Sequence, residues 1–316
     1  MAWGARGYWL VVTDPVTPAG ELPETSPERQ STPFLVLQFF IFPLAIVAVC
    51  VGVFVVFGMI ASEDRGPREY LAEVRTGSAN RRWQAAFELS KALHARQDPV
   101  LSDPAFAEEL TQLFAEAGSD DPRVRRYLAL ALGRLGDRRA VPALLAAVGT
   151  QAGPEAPPLD PDTQIYAVWA LGVIGDPAAA PELVRLARSE DPGLRKTAVH
   201  ALGGFAGAAA EAALGAALAD PVDDVRWNAA LALARRKDPA ATPVLLQMTD
   251  RGQLDKVADL GAEQAEDVIL QAVAAAGALD DPALVRNLDK LREGDPSLKV
   301  REAARLALER SGTPRP

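Results

Sequence analysis

The chain has 316 residues, and its composition excludes several classes of protein before any motif is considered. A formal net charge of -9 argues against a nucleic-acid binder, because phosphate recognition requires a basic surface. The single cysteine, Cys50, excludes an intrachain disulfide and a cluster of thiolate metal ligands. The 24 glycines and 25 prolines are regularly spaced and strand-like alternation is missing, so the composition predicts an all-α protein of many short helices.

The N-terminal part of the chain contains a proline-rich tail, residues 1–33, which is predicted to be disordered. An uncharged apolar run of 28 residues follows, from Phe34 to Ala61. At about 1.5 Å per residue, a helix of this length exceeds a hydrocarbon core of about 30 Å, so residues 34–61 are predicted to form a single transmembrane helix. A cleaved signal peptide and a buried core helix are the alternatives, but the run is about twice the length of a usual signal h-region.

Basic residues beside the apolar run indicate its orientation. The 20 residues before the run contain one cation, Arg29, whereas the 20 after it contain four, Arg65, Arg68, Arg75 and Arg81. Basic segments flanking a membrane helix stay on the cytoplasmic side, so the C-terminal part is predicted to be cytoplasmic and the protein to reside in the cell membrane. Residues 62–79 are predicted to form a juxtamembrane linker.

Residues 80–316 contain a unit that recurs. Its clearest copies are DPRVRRYLALALGRLGD, DPDTQIYAVWALGVIGD and DPGLRKTAVHALGGFAG, which begin at Asp121, Asp160 and Asp191. Aligning the leucine of the Ala-Leu-Gly triplet gives a basic period of 31 residues, with equivalent positions at Leu89, Leu132, Leu171, Leu202, Leu233, Ala276 and Leu308. Insertions at residues 149–160 and 250–266 are predicted to form loops on one face.

Each copy predicts a pair of helices. An aspartate followed by proline suits a helix N-cap and the first helical position, and the Gly-Asp pair then ends the first helix. A second apolar helix follows, often opened by another proline, as at Pro142 and Pro181. One pair cannot bury its apolar face alone, so about seven pairs are predicted to stack into a solenoid.

These strings resemble the HEAT-like repeats of the phycobilisome-lyase type, from roughly Asn80 to Arg310. The resemblance implies a right-handed α-solenoid, but such repeats occur in protein-binding scaffolds, in chromophore lyase subunits and in an iron-dependent hydroxylase. The hydroxylase holds its irons with repeated His-Glu pairs, whereas His94 and His200 of this chain are each followed by alanine. The sequence also lacks a phosphate-binding loop, so no enzyme activity, metal or cofactor is predicted.

A helical wheel with Leu132 pointing inward identifies a candidate partner-binding surface. In two copies the outward positions hold large apolar side chains, namely Ile165, Tyr166, Trp169, Val173, Trp227 and Leu231. Exposed patches rich in tryptophan and tyrosine are typical of protein interfaces, so these six residues are predicted to bind a partner. The alternative is that superhelical twist or an inserted loop covers them.

Two aspartate and arginine pairs recur near the starts of first helices, Asp121 with Arg125 and Asp191 with Arg195. Their matching positions favour a structural role in which each arginine ties neighbouring repeats together, and an anion-binding ladder is the alternative. The sequence as a whole predicts a membrane-anchored scaffold that binds partner proteins, as an accessory or assembly subunit of a membrane complex. An auxiliary subunit of a lyase-like, tetrapyrrole-attaching enzyme is the alternative function.

Overall fold

The computed structural model describes residues 41–61, 65–95, 99–119, 121–149 and 160–310. The chain divides into two units, residues 1–64 and residues 65–316. The predicted disordered tail lies outside the described residues, as do the first seven residues of the apolar run and most of the first predicted insertion.

The first unit contains helix α1, Phe42–Ala61. Its side chains are exposed at every position from Ile41 to Val56, and Phe54 is 80% exposed. Within the described part of the chain, no helix combines the length and the apolar character that crossing a membrane requires. The transmembrane helix predicted over residues 34–61 is therefore not confirmed.

The second unit contains fifteen described helices and, within its described residues, no strand. In chain order they are α2 (Pro67–Thr76), α3 (Ala79–Ala92), α4 (Pro104–Glu116), α5 (Pro122–Leu135), α6 (Val141–Val148), α7 (Pro161–Ile174), α8 (Ala180–Leu186), α9 (Pro192–Leu202), α10 (Ala208–Ala217), α11 (Asp223–Arg235), α12 (Thr242–Met248), α13 (Arg251–Leu254), α14 (Ala262–Ala276), α15 (Pro282–Gly294) and α16 (Leu298–Arg310).

These helices form the two layers of a solenoid. The first helices of the repeats, α3, α5, α7, α9, α11, α14 and α16, contact one another in sequence, and the second helices pack against them. Each of the seven aligned copies has its first helix, and six of these are followed by a described second helix, in the pairs α3–α4, α5–α6, α7–α8, α9–α10, α11–α12 and α14–α15. The helix α16 is the last of the first helices, and α2 lies before the predicted repeats. The aligned positions of the repeats are buried, with Leu89, Leu171 and Leu202 at 0% exposure, whereas Leu308 in the last helix is half-buried.

Helix ends follow the predicted rules. Asp121, Asp160 and Asp191 each accept a hydrogen bond from a backbone N–H in the first turn of the helix that follows. Gly136 and Gly175 end α5 and α7 with positive φ angles of 74° and 67°, a left-handed conformation in which glycine has no Cβ clash. Lys237 adopts the equivalent conformation after α11, with φ 59°.

Two predicted segment assignments were wrong. Residues 67–76, predicted as linker, form α2, because Leu71 and Val74 are buried in the core against α3. The second insertion, residues 250–266, was predicted as a loop, but it contains α13 and the start of α14.

The Ala-Leu-Gly triplet places neighbouring first helices in close contact. A Cβ atom added to Gly172 of α7 would lie 2.6 Å from the Cβ of Ala201 in α9 and 3.0 Å from its Cα. A Cβ atom added to Gly133 of α5 would lie 2.9 Å from the Cα of Ala170 in α7. At both places the alanine of one triplet occupies the space left by the glycine of the preceding triplet.

Three bidentate pairs of arginine and aspartate connect successive repeats. Arg126 of α5 donates two hydrogen bonds to Asp160, at 2.8 and 2.9 Å, and Arg195 of α9 donates to Asp220 at 2.9 and 3.2 Å. A third bidentate pair joins Arg251 to Asp295. Each carboxylate lies just before a first helix and is held by an arginine from the preceding repeat, as predicted for Arg195.

The predicted pair of Asp121 with Arg125 does not form. Asp121 instead accepts hydrogen bonds from Arg123, with its Oδ2 2.6 Å from Arg123 Nη2. The guanidinium of Arg125 lies 5.2 Å from the centre of the Phe114 ring, and burial lowers its pKa. Within the described residues, the buried Nε of Arg125 has no hydrogen-bond partner.

Alanine at Gly172 should lower the free energy of unfolding, because the new methyl group overpacks the contact with Ala201. Overpacking of this kind costs about 1–3 kcal/mol. The matched control is Gly215→Ala in α10, where a Cβ meets nothing within 4 Å, so the better helix propensity should stabilise by up to about 1 kcal/mol. Urea denaturation followed by circular dichroism measures both. Equal effects of the two substitutions would contradict the close-approach interpretation.

The ion pair of Asp160 should make stability depend on acid pH. The hydrogen bond from Arg126 lowers the pKa of Asp160 from 3.8 to about 2. The charged carboxylate therefore stabilises the fold at pH values above about 4, and this contribution disappears as the pH falls through about 2. Asp160→Asn should cost up to about 2 kcal/mol at about pH 5 and little at about pH 2.

Urea denaturation across this pH range measures the effect, with Asp289→Asn as control because the Asp289 side chain is about half exposed. If Asp160→Asn lowers the free energy of unfolding by the same amount at every pH, the ion pair with Arg126 is not the source of the loss.

Candidate protein-binding face

The six predicted partner-binding residues all lie on two first helices, α7 and α11. Val173 is 46% exposed, whereas Trp227 is only 8% exposed. The others, Ile165, Tyr166, Trp169 and Leu231, are half-buried. The exposure predicted for Trp227 was therefore wrong, because a side chain that points away from its own repeat can still be covered by a neighbouring one.

The four residues of α7 lie beside the neighbouring first helices. Trp169 occupies the space beside Gly133, since a Cβ there would lie 2.6 Å from Cζ3 of the indole. Trp169 and Val173 also line a pocket of about 330 Å³ with His200 and Gly204 from α9 and the turn that follows it, and with Arg235 of α11. We call this the α7–α9 pocket.

A second pocket, of about 300 Å³, opens between α11 and α14. Its apolar surface comes from Trp227 and Leu231 of α11, Met248 of α12 and Leu260. Its polar surface combines two carboxylates, one ammonium group and three carboxamides, and these residues are Asp224, Asp267, Lys196, Asn228, Gln264 and Gln271. We call this the α11–α14 pocket.

Contacts between α9 and α11 connect the two pockets. His200 Nδ1, in the α7–α9 pocket, lies 3.2 Å from Oδ1 of Asn228, in the α11–α14 pocket. One turn away, the Lys196 ammonium lies 2.8 Å from Asp224 and forms an exposed ion pair with it. The two pockets thus belong to one surface across α7, α9, α11 and α14, which we call the first-helix face.

Aromatic side chains extend this surface toward the N-terminal repeats. Phe87 of α3 contacts Tyr127 of α5 edge-to-face, with ring centres 5.1 Å apart. The Arg123 guanidinium lies 4.6 Å from the centre of the Trp83 ring, and the Lys91 ammonium lies 5.2 Å from that of Phe87. Arginine and aromatic residues together are typical of interface hot spots.

The chemistry of these side chains suits binding. His200 bonds to an amide, and His94 lies exposed in the turn after α3. Within the described residues, no group of histidine, cysteine or acidic side chains is arranged to hold a metal ion. Apolar side chains together with carboxamide and carboxylate groups can accommodate a polypeptide segment, because they offer both a hydrophobic contact and hydrogen-bond partners.

Sequence reasoning missed the polar residues of the α11–α14 pocket. Gln264 lies within the second insertion, and Asp267 and Gln271 follow it directly on α14. A helical wheel built on the regular copies of the repeat does not include the residues that the insertion introduces. The insertion is the sequence feature that could have indicated these residues, since insertions between repeats often lie on the binding face.

Comparisons with known proteins support the repeat assignment. A family model of HEAT repeats matches residues 158–226 and 194–265, and a model of PBS lyase HEAT-like repeats matches residues 124–150. The chain therefore contains HEAT-like repeats. Among curated proteins, no significant relative was found.

Several solved structures are similar to this chain at low sequence identity. The complex of CpcE and CpcF of phycocyanin lyase from Nostoc sp. PCC7120 is similar at a TM-score of 0.51 and 20% identity, over 78% of this chain and 95% of that one. An archaeal HEAT-like repeats protein from Thermococcus onnurineus NA1 gives 0.43 and 16%, over 78% and 97%. Human deoxyhypusine hydroxylase, in complex with glycerol, gives 0.32 and 19%, over 78% and 96%. At 20% identity, the similarity to the phycocyanin lyase complex concerns the fold alone.

Proposed function

We propose that this protein is a membrane-anchored HEAT-repeat scaffold that binds a partner protein through its first-helix face. It would act as an accessory or assembly subunit of a membrane complex. The observation that carries this proposal is the pair of adjoining pockets, each lined by a tryptophan, on one layer of the solenoid.

The composition of the face supports protein binding. Val173 and Phe87 are exposed apolar side chains, and Trp169 is half-buried. Interfaces are enriched in aromatic residues and arginine and contain fewer charged residues at their centre than the remaining surface does. A rigid layer of helices also loses little conformational entropy on binding.

The membrane anchor is proposed from the apolar run. The described side chains of its helix cover residues 41–56, about 24 Å at 1.5 Å per residue, while the apolar sequence continues to Phe34 and Ala61. The exposure of its valine and phenylalanine side chains supports burial in lipid, since exposed apolar surface of this kind is unfavourable in water. The basic residues that follow the run favour a cytoplasmic location for the repeats.

The alternative function, an auxiliary subunit of a tetrapyrrole-attaching lyase, has its support in the repeat type and the fold. The α11–α14 pocket does not favour it. Tetrapyrroles carry carboxylates, and the pocket presents two carboxylates, Asp224 and Asp267, against the single cation Lys196, so its net negative charge would repel them. The scaffold function is therefore preferred.

A photo-crosslinking residue at Val173 of the full-length chain should capture a protein partner in native membranes, because this position is exposed on the first-helix face. Leu298, 73% exposed at the start of α16 and outside both pockets, is the matched control. Gel shifts after irradiation, followed by mass spectrometry, identify the products. The same products from both positions, or none from Val173, would refute partner binding at this face.

Replacing Val51 and Val55 of α1 with arginine should release the full-length chain from membranes. Each charge at the centre of a membrane helix costs about 2.5–3.5 kcal/mol on insertion scales. Fractionation after alkaline carbonate extraction measures the distribution, and Val51→Leu with Val55→Leu serves as control. Extraction of the unmodified chain by carbonate would exclude the anchor.

A further inference from the structure

We propose that the α11–α14 pocket binds a lysine or arginine side chain, so that the partner presents a basic segment to the first-helix face. This inference rests on the proposed scaffold function and names the chemistry of the partner. Its basis is the shape of the pocket, the placement of its carboxylates and the charge of the insertion beside it.

The pocket combines an apolar interior with acidic edges. Met248 is 1% exposed, and Trp227 presents only a small part of its indole. Asp224 lies on α11 and Asp267 on α14, on opposite sides of the opening. A long cationic side chain matches this arrangement, because its alkyl stem packs on apolar groups while its charged end remains near carboxylates and an aromatic ring.

The two carboxylates are available to a ligand. Asp224 is paired with Lys196, but both side chains are about half exposed, at 48% and 47%, and such surface pairs contribute little to stability. Within the described residues, Asp267 forms no ion pair, and it is exposed. Lys196 thus already places one ammonium group at the pocket, and a partner's cation can form a second pair with Asp267.

The insertion makes this side of the molecule acidic. Residues 250–267 contain six acidic and two basic residues. One of the two, Arg251, is committed to its bidentate pair with Asp295, which leaves Lys256 as the exposed cation of this segment. Charge complementarity therefore favours a basic segment over an anionic ligand, because like charges at close range repel.

Carboxamides at the pocket edge would hold the backbone of such a segment. Gln264 and Gln271 are exposed on α14. The Gln264 oxygen already accepts from the Gly261 N–H, so Gln264 contributes its NH₂ group. The Asn228 carboxamide is held by Asp224 and His200 of the chain itself. A carboxamide can donate to a carbonyl oxygen and accept from an N–H, so it pairs with a peptide group in either direction. The pocket thus offers recognition of both the side chain and the chain that carries it.

The test uses the full-length chain in detergent and a fluorescent hexalysine peptide as the probe, titrated by anisotropy. Asp267→Asn should weaken binding roughly twofold to fivefold, the effect of losing one exposed ion pair. Lys196→Gln should strengthen it by a similar factor, because it releases Asp224. Two charge-matched substitutions outside the pocket, Asp289→Asn and Lys290→Gln, are the controls and should leave affinity close to that of the unmodified chain.

Several results would overturn the proposal. Equal effects of pocket and control substitutions would show that hexalysine responds only to net charge. Preferential binding of a hexaglutamate peptide would reverse the inferred partner charge. Binding that appears only after removal of residues 311–316 would assign the pocket to the chain's own C-terminal residues.

These experiments distinguish a failure of the basic-partner proposal from a failure of the scaffold proposal. A Val173 crosslink that persists in an Asp267→Asn chain, together with unchanged hexalysine affinity, would retain the scaffold and remove the basic partner. An absent Val173 crosslink would remove the scaffold whatever the peptide titration shows.

Discussion

The close approach of successive first helices is the constraint on which the solenoid depends. At Gly133 and Gly172 the absence of a side chain lets the alanine of the next triplet come within contact distance of the backbone. Gly203 is close to Ala232 in the same way, and Gly277 to Ala307. Such contacts fix the spacing between repeats, because a methyl group at any of these glycines would have to displace a neighbouring helix or side chain.

The pocket between α11 and α14 occurs where this pattern is interrupted. The α11 copy has Ala234 where the copies at α5, α7, α9 and α14 have glycine, and the insertion of residues 250–266 follows before α14 begins. Of all neighbouring first helices, α11 and α14 pack least extensively. The wider separation leaves room for a pocket, whose edges are supplied by the insertion and the start of α14. The departure from the repeat therefore creates the part of the surface where an apolar pocket lies beside carboxylates.

Ion pairs between repeats add orientation to this packing. Asp160, Asp220 and Asp295 each lie before a first helix and each accept two hydrogen bonds from one arginine of the preceding repeat. For Asp220 and Asp295 burial alone would raise the pKa, but arginine and backbone hydrogen bonds lower it overall. A bidentate pair is directional, so it complements the non-directional contact of alanine with glycine.

The all-helical repeat fold and the helix caps could be predicted from the sequence alone. These features depend on local rules, namely aspartate and proline at helix starts, glycine at helix ends, and a periodic apolar stripe. Tertiary structure decided which outward residues are accessible. A wheel treats each helix in isolation, whereas Trp169 is partly covered by α5 and Trp227 lies in a pocket completed by α12 and α14. The tertiary structure also adds α2 to the core. It places Gln264, Asp267 and Gln271 opposite Asn228. Neither result follows from the pattern of one repeat, because both depend on contacts between elements.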